Sequence, residues 1–324
     1  MIQTRLTQRY ELSHPILSAP MALASGGALA AAVTNAGGLG VIGGGYGDDD
    51  WTMHAFDEAG EARVGCGFIT WKLAENPDVL TRTLARKPAA LFLSFGDPKP
   101  FVDEIAAAEV PLICQVQTLR DAKHAADVGA DMIVAQGAEA GGHGEKRSTM
   151  TLVPEVADWL AVNAPDTLLL AAGGIADGRG LAASLMLGAD GVLVGSRLWA
   201  SAESLAHPNM IDAAIAATGD QTIRSTVMDV ARGLGWPARY TARVLQNAFT
   251  AQWHNDLNGL LANANDEAVR WAAAWQAGDT EITNTFVGEA AGLIRDRAPA
   301  GEIIQNMVVE ADALLRGSLA RLED

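Results

Sequence analysis

Cysteine is nearly absent. Cys66 and Cys114 are the two thiols in 324 residues, which excludes a disulfide framework or a thiolate metal cluster and fits a reducing compartment. Positive charge is also scarce. Lys and Arg number 23 against 39 Asp and Glu, a formal net charge of −16, so the chain repels phosphate backbones and anionic bilayers, and neither nucleic acid nor membrane is expected as a partner. No apolar run approaches the roughly 18 to 20 residues that span a bilayer. The N-terminal MIQTRLTQRYELSHP lacks the apolar stretch of a signal peptide. A soluble, cytoplasmic protein is the expectation. Walker phosphate loops and Gly-x-Ser-x-Gly elbows are missing too, and His143 has no second histidine at a metal-ligand spacing, so no metal is expected.

What is present is a globular composition, 49% hydrophobic, at a length that suits one large domain or two modest ones. Eight short runs dense in aliphatic residues recur in the first two thirds: 16–20, 39–44, 64–69, 90–95, 112–116, 132–137, 168–173 and 191–196. Each is stopped by Gly or Pro, and most are followed by a stretch that reads as helix. The runs are continuously apolar rather than alternating, as strands covered on both faces require, so the sheet is parallel. Eight β-then-α units point to an α/β chain folded as a (β/α)₈ barrel over residues 1–208. An open doubly wound sheet is the competing arrangement, although the first turn, PMALASGG, has no dinucleotide fingerprint.

After Trp199 the rhythm stops. Residues 209–298 are rich in Ala, Asn and Asp with helical spacing and no convincing strand, which predicts a smaller helical domain covering the substrate. Its tryptophans, Trp236, Trp253, Trp271 and Trp275, are expected in a core by default. From 299 to 324 the chain reads as a helix closing the barrel, with Ile303, Ile304, Met307, Val308, Ala311, Leu314 and Leu315 on one stripe.

In such a barrel the loops after the strands build the site. Two glycine turns, AAGGIADGRG (171–180) and VGSR (194–197), follow the last two strands. Gly173, Gly174 and Gly195 let backbone N–H groups approach an anion, Ser196 adds a hydroxyl donor, and the position is where many barrels hold a phosphate. After the sixth strand comes VAQGAEAGGHGE (134–145). His143, on a glycine-rich loop with an ordinary pKa near ~6.5, is the candidate acid/base. A metal site using His143 with Glu139 or Glu145 is a weaker alternative. Cys66 and Cys114 lie inside strand-like runs with no neighbouring base and read as buried thiols.

SAPMALASGGALAAAVTNAGGLGVIGGG (18–45), QVQTLRDAKHAADVGADMIVAQGAEAGGHG (115–144), AAGGIADGRG, LGADGVLVGSR (187–197) and GLIRDRAPAGEII (292–304) together resemble the nitronate monooxygenases. The resemblance implies an FMN-dependent barrel that oxidises alkyl nitronates, and neutral nitroalkanes as a further substrate, with O₂ to a carbonyl compound and nitrite. It places His143 as the catalytic histidine and Gly173, Gly174, Gly195 and Ser196 at the FMN phosphate. Ala19, Pro20 and Met21 would lie beside the flavin ring, with Gln115, Gln136, Gly141 and Gly142 lining it. Gly67, in GCGFITW, stands where many bacterial members carry an Asn that approaches the flavin, so that contact is left to backbone or lost. An FMN-dependent NAD(P)H:quinone or enoyl-thioester reductase is the first alternative, and a non-catalytic flavin-binding protein the second. A homodimer is among the arrangements left open.

Overall fold

A computed structural model describes residues 2–318. The strands in chain order are β1 (Ile16–Ser18), β2 (Val41–Gly45), β3 (Gly65–Ile69), β4 (Leu91–Ser94), β5 (Leu112–Val116), β6 (Met132–Gln136), β7 (Gly142–Gly144), β8 (Leu168–Ala172), β9 (Gly191–Val194), β10 (Thr222–Ser225) and β11 (Thr241–Leu245). Eight of them form one parallel sheet in the order β1-β9-β8-β6-β5-β4-β3-β2. A parallel bridge between Leu17 and Leu39 joins its two ends and closes the barrel. Each of the eight runs expected from the sequence coincides with one of these strands, with β2 running one residue past its run to Gly45, and the open-sheet alternative is excluded.

The unbroken apolar character of these strands follows from their two buried faces. On β6, Met132 and Val134 point into the barrel with Leu17, Phe92, Ile113 and Leu170. Their neighbours Ile133 and Ala135 face the surrounding helices with Ile42, Leu91 and Leu169. The helix Arg5–Tyr10 contributes Leu6 and Tyr10 to the inner layer. Arg5 anchors that helix through a bidentate pair with Asp190 at 2.8 and 2.7 Å. Cys66 and Cys114 are buried in β3 and β5, and burial pushes both thiols up to about 12.

The terminal helix Ala300–Gly317 packs its stripe of Ile303, Ile304, Met307, Val308 and Ala311 into the outer layer, against the helices Gly178–Met186 and Gly27–Asn35. Residues 319–324 of the closing helix read from the sequence lie outside the described residues.

Residues 209–298 differ from the all-helical expectation, because β10 and β11 run through them as antiparallel partners. The strand β11 also pairs with β7, which lies in the loop between the barrel strands β6 and β8, with Ala242 opposite His143. The two strands are short, and each carries an arginine in the middle, which hides the period-2 pattern. Arg224 and Arg243 face each other across the ladder, a like-charge pairing that is unfavourable unless compensated. Compensation comes from the Ala138 carbonyl, which accepts from both guanidinium groups, and from Glu289, which pairs with Arg243. Burial, with Arg243 alongside, pushes Arg224 down to about 10.

Candidate active site

The β7–β11 pairing fixes the backbone of His143 at the strand ends of the barrel. Two amides extend that support: Gln117 Nε2 donates to Gln136 Oε1 at 2.9 Å, and Gln136 Nε2 donates to the His143 carbonyl at 3.1 Å. The imidazole is 8% exposed. With the hydrogen placed on Nε2, it donates to Asp229 Oδ2 at 2.9 Å. Asp229 belongs to the short helix Val227–Ala231 and is itself buried, with its Oδ1 lacking a partner. Burial holds the His143 pKa below its ordinary value, while the bond and charge of Asp229 oppose that shift.

One face of the ring is covered. The Trp236 indole stacks on His143 with centroids 3.4 Å apart and planes inclined by 6°. Trp236 Nε1 donates to the Tyr46 hydroxyl at 3.1 Å, and the edge of Phe95 abuts both rings at 6.2 and 5.2 Å. His143 Nδ1 makes no hydrogen bond with the described protein, and the residue lines the central cavity. The ring is therefore held at one nitrogen and one face, leaving the other nitrogen in its plane for a ligand.

At the other end of the site, Gly173 and Gly174 adopt φ of +103° and +75°, a region that side chains disfavour. A Cβ on Gly173 would stand 2.9 Å from Thr149 Oγ1 and 3.0 Å from the Gly137 carbonyl. Gly195 caps the helical turn Ser196–Trp199 without a side chain, so the first N–H groups of that turn have no helical partner. Ser196 Oγ accepts from the Gly288 N–H at 2.9 Å, which leaves its hydroxyl hydrogen to donate. Asp177 caps the helix Gly178–Met186, accepting from the N–H groups of Arg179 and Gly180 at 3.0 and 3.2 Å.

Ala19, Pro20, Met21, Gly67, Gln115, Gln136, Gly141, Gly142, His143, Gly173, Gly174, Gly195 and Ser196 all line one cavity. The cavity opens to solvent and is lined mainly by apolar side chains and glycine backbone, as a ligand pocket is. Gly67 is closely packed: a Cβ there would lie 2.5 Å from Pro20 Cβ, so Pro20 occupies the place of any side chain. Among the described residues, no group of three or more His, Cys, Asp or Glu side chains is placed to hold a metal ion. Glu139 accepts from the Thr149 N–H and hydroxyl, Glu145 pairs with Arg239, and the carboxylate at His143 is Asp229.

Sequence reasoning missed Asp229, Tyr46, Phe95 and Arg232, and left Trp236 to the core. Asp229 stands 86 residues from His143 in a segment with no motif. Trp236, between Gly235 and Pro237, had one readable signal, a large aromatic placed in a turn. The core default holds for Trp253 and Trp271, whereas Trp236 and Trp275 line the cavity.

Comparison with known proteins identifies the family. The nitronate monooxygenase family model matches residues 3–62 and 71–310. A nitronate monooxygenase of Neurospora crassa is 32% identical, over 91% of this chain and 88% of that protein. The nitronate monooxygenase npaC of Metarhizium robertsii is also 32% identical, over 95% of this chain and 93% of its own. The structure of FabK from Thermotoga maritima superposes with a TM-score of 0.87 at 31% identity, covering 99% of this chain and 100% of that one. The chain belongs to the nitronate monooxygenase family. It is a flavin-dependent oxidoreductase acting on nitronates, and no helix among its described residues is long and apolar enough to cross a membrane.

Proposed function

We propose that the flavin is FMN, that its phosphate sits on the Gly173–Gly174 turn and at Gly195 and Ser196, and that His143 is the base for neutral nitroalkanes. The phosphate reading is supported by two adjacent glycines in the left-handed region, first-turn N–H groups without helical partners, and a Ser196 hydroxyl whose hydrogen is available. Ala19, Pro20, Met21, Gly67, Gln115 and Gln136 share the cavity with that turn and are assigned to the ring end. Bound there, FMN supplies the electron acceptor for an electron-rich nitronate carbon.

The observation that carries the reading is the buried His143–Asp229 pair, with His143 on the cavity wall. Burial keeps the imidazole neutral near pH 7, and Asp229 fixes the hydrogen on Nε2, so the lone pair is at Nδ1. A nitroalkane must lose its α-proton before oxidation, and Nδ1 takes it; Asp229 then stabilises the imidazolium that forms. A nitronate has already lost that proton and needs only binding and exclusion of water, which Trp236 and Phe95 provide over the ring. With O₂ as co-substrate supplying the carbonyl oxygen, the products in both cases are a carbonyl compound and nitrite. Nitrite release from a nitroalkane and from its preformed nitronate, compared in wild type and His143→Asn, tests the assignment. Loss confined to the nitroalkane supports it, and equal loss on both contradicts it.

A further inference from the structure

A nitronate is an anion, and a chain of net charge −16 repels it at long range. Attraction must therefore be local. Among the residues lining the cavity, Arg232 is the one permanently charged side chain. It follows directly on the helix that carries Asp229. Its guanidinium lies over three rings, 5.5 Å from Tyr46, 5.6 Å from Trp271 and 5.9 Å from Phe286. Neighbouring arginines have their oxygen partners: Arg239 holds Asp121 and Glu145, Arg243 holds Glu289, and Arg224 donates to oxygens of Ala138 and Thr241. Arg232 forms no ion pair with an acidic side chain among the described residues.

A second observation points to the same place. Asn284 is fully buried and lines the cavity. Its Oδ1 accepts from Trp271 Nε1 at 2.8 Å, which fixes the amide, and its Nδ2 is a buried donor without a partner. Trp271 thus joins the two groups, lying under the Arg232 guanidinium and orienting Asn284. A guanidinium without an acidic partner and a buried amide N–H without any partner, both lining the cavity, are complementary to a group with two oxygens sharing one negative charge.

We propose that Arg232 and Asn284 form the anion subsite that binds the two oxygens of the substrate nitro group. The aromatic rings hold the half-buried cation in place, so its charge is screened less than that of a surface arginine. This rests on the nitronate reading above and adds the residues that recognise the charge. The same subsite accepts a short-chain carboxylate, which has the same two-oxygen monoanionic form, and does not favour the uncharged amide of equal size.

The test uses the flavin-loaded protein, with an alkyl nitronate as substrate and butyrate and butyramide as competing probes. Arg232→Met should raise the nitronate KM and the butyrate inhibition constant together by roughly 10- to 100-fold. It should leave kcat, butyramide binding and the visible flavin spectrum close to wild type. Asn284→Asp, nearly isosteric, should also weaken butyrate, because it sets a carboxylate against an anion. Arg232→Lys keeps a charge over the rings and should fall between wild type and Arg232→Met, which guards against a misfolded Arg232→Met. Butyrate and nitronate binding unchanged in Arg232→Lys and Asn284→Asp would overturn the proposal. So would a binding loss that appears only with an altered flavin spectrum, since Arg232 would then serve the cofactor. A wild-type protein that releases no nitrite from any nitronate would instead remove the underlying reading, whatever the variants do.

Discussion

His143 and Trp236 lie face to face, ring centroids 3.4 Å apart and planes within 6° of parallel. Because Asp229 occupies Nε2, the stack and the hydrogen bond together restrict the imidazole to one orientation. A base held this way presents a single lone pair in a known direction, which is the geometric condition for efficient proton transfer.

His143→Asn should therefore lower kcat/KM for a neutral nitroalkane by about 10² to 10⁴-fold, the usual contribution of a positioned base. Nitrite release from the preformed nitronate should fall far less. Steady-state kinetics on both substrates at one pH decide the matter.

Asp229→Asn should move the acid limb of the nitroalkane pH profile. Burial already holds the His143 pKa below its ordinary value, and Asp229 is the group that raises it. As a base, His143 is active when neutral, so activity is lost as pH falls through that lowered pKa. Removing the Asp229 charge lowers the pKa further and should shift the limb to more acid pH. A limb that moves the other way, or stays, would contradict the pairing. Nitronate turnover should show no matching shift.

Gly67→Asn should destabilise the protein. The new Cβ meets Pro20 at 2.5 Å and Phe92 Cβ at 3.1 Å, and overpacking of this kind costs about 1 to 3 kcal/mol. Thermal melting should show a drop of several degrees, together with weaker flavin retention as Pro20 is displaced. A variant that melts with wild type would mean that Pro20 yields freely.

Neither cysteine should react with a thiol reagent in the native state. Burial pushes Cys66 and Cys114 up to about 12, so almost no thiolate exists near neutral pH. Titration should find no reactive thiol in the folded protein and two after denaturation.

The barrel was legible because its strands are buried on both faces, and continuous apolar runs such as Met132–Gln136 register that directly. The glycine turns were legible for a different reason. Gly173 and Gly174 sit where positive φ excludes other residues, and His143 sits in a glycine-rich loop at a strand end. The covering segment was not legible, since β10 and β11 are short strands with an arginine in the middle of each. Their identity as strands comes from the β10-β11-β7 ladder, in which β11 pairs with β7 through a tertiary contact. The same holds for Asp229, Arg232 and Asn284: each acquires its meaning from a partner or cavity distant in sequence.

The most direct measurement is the visible spectrum of the purified protein, followed without oxygen as an alkyl nitronate is added. The account predicts oxidised-flavin bands that are lost on adding the nitronate alone, with no nicotinamide cofactor present. Bands that survive the nitronate but bleach on adding NADH or NADPH would contradict it and support a reductase built on the same barrel.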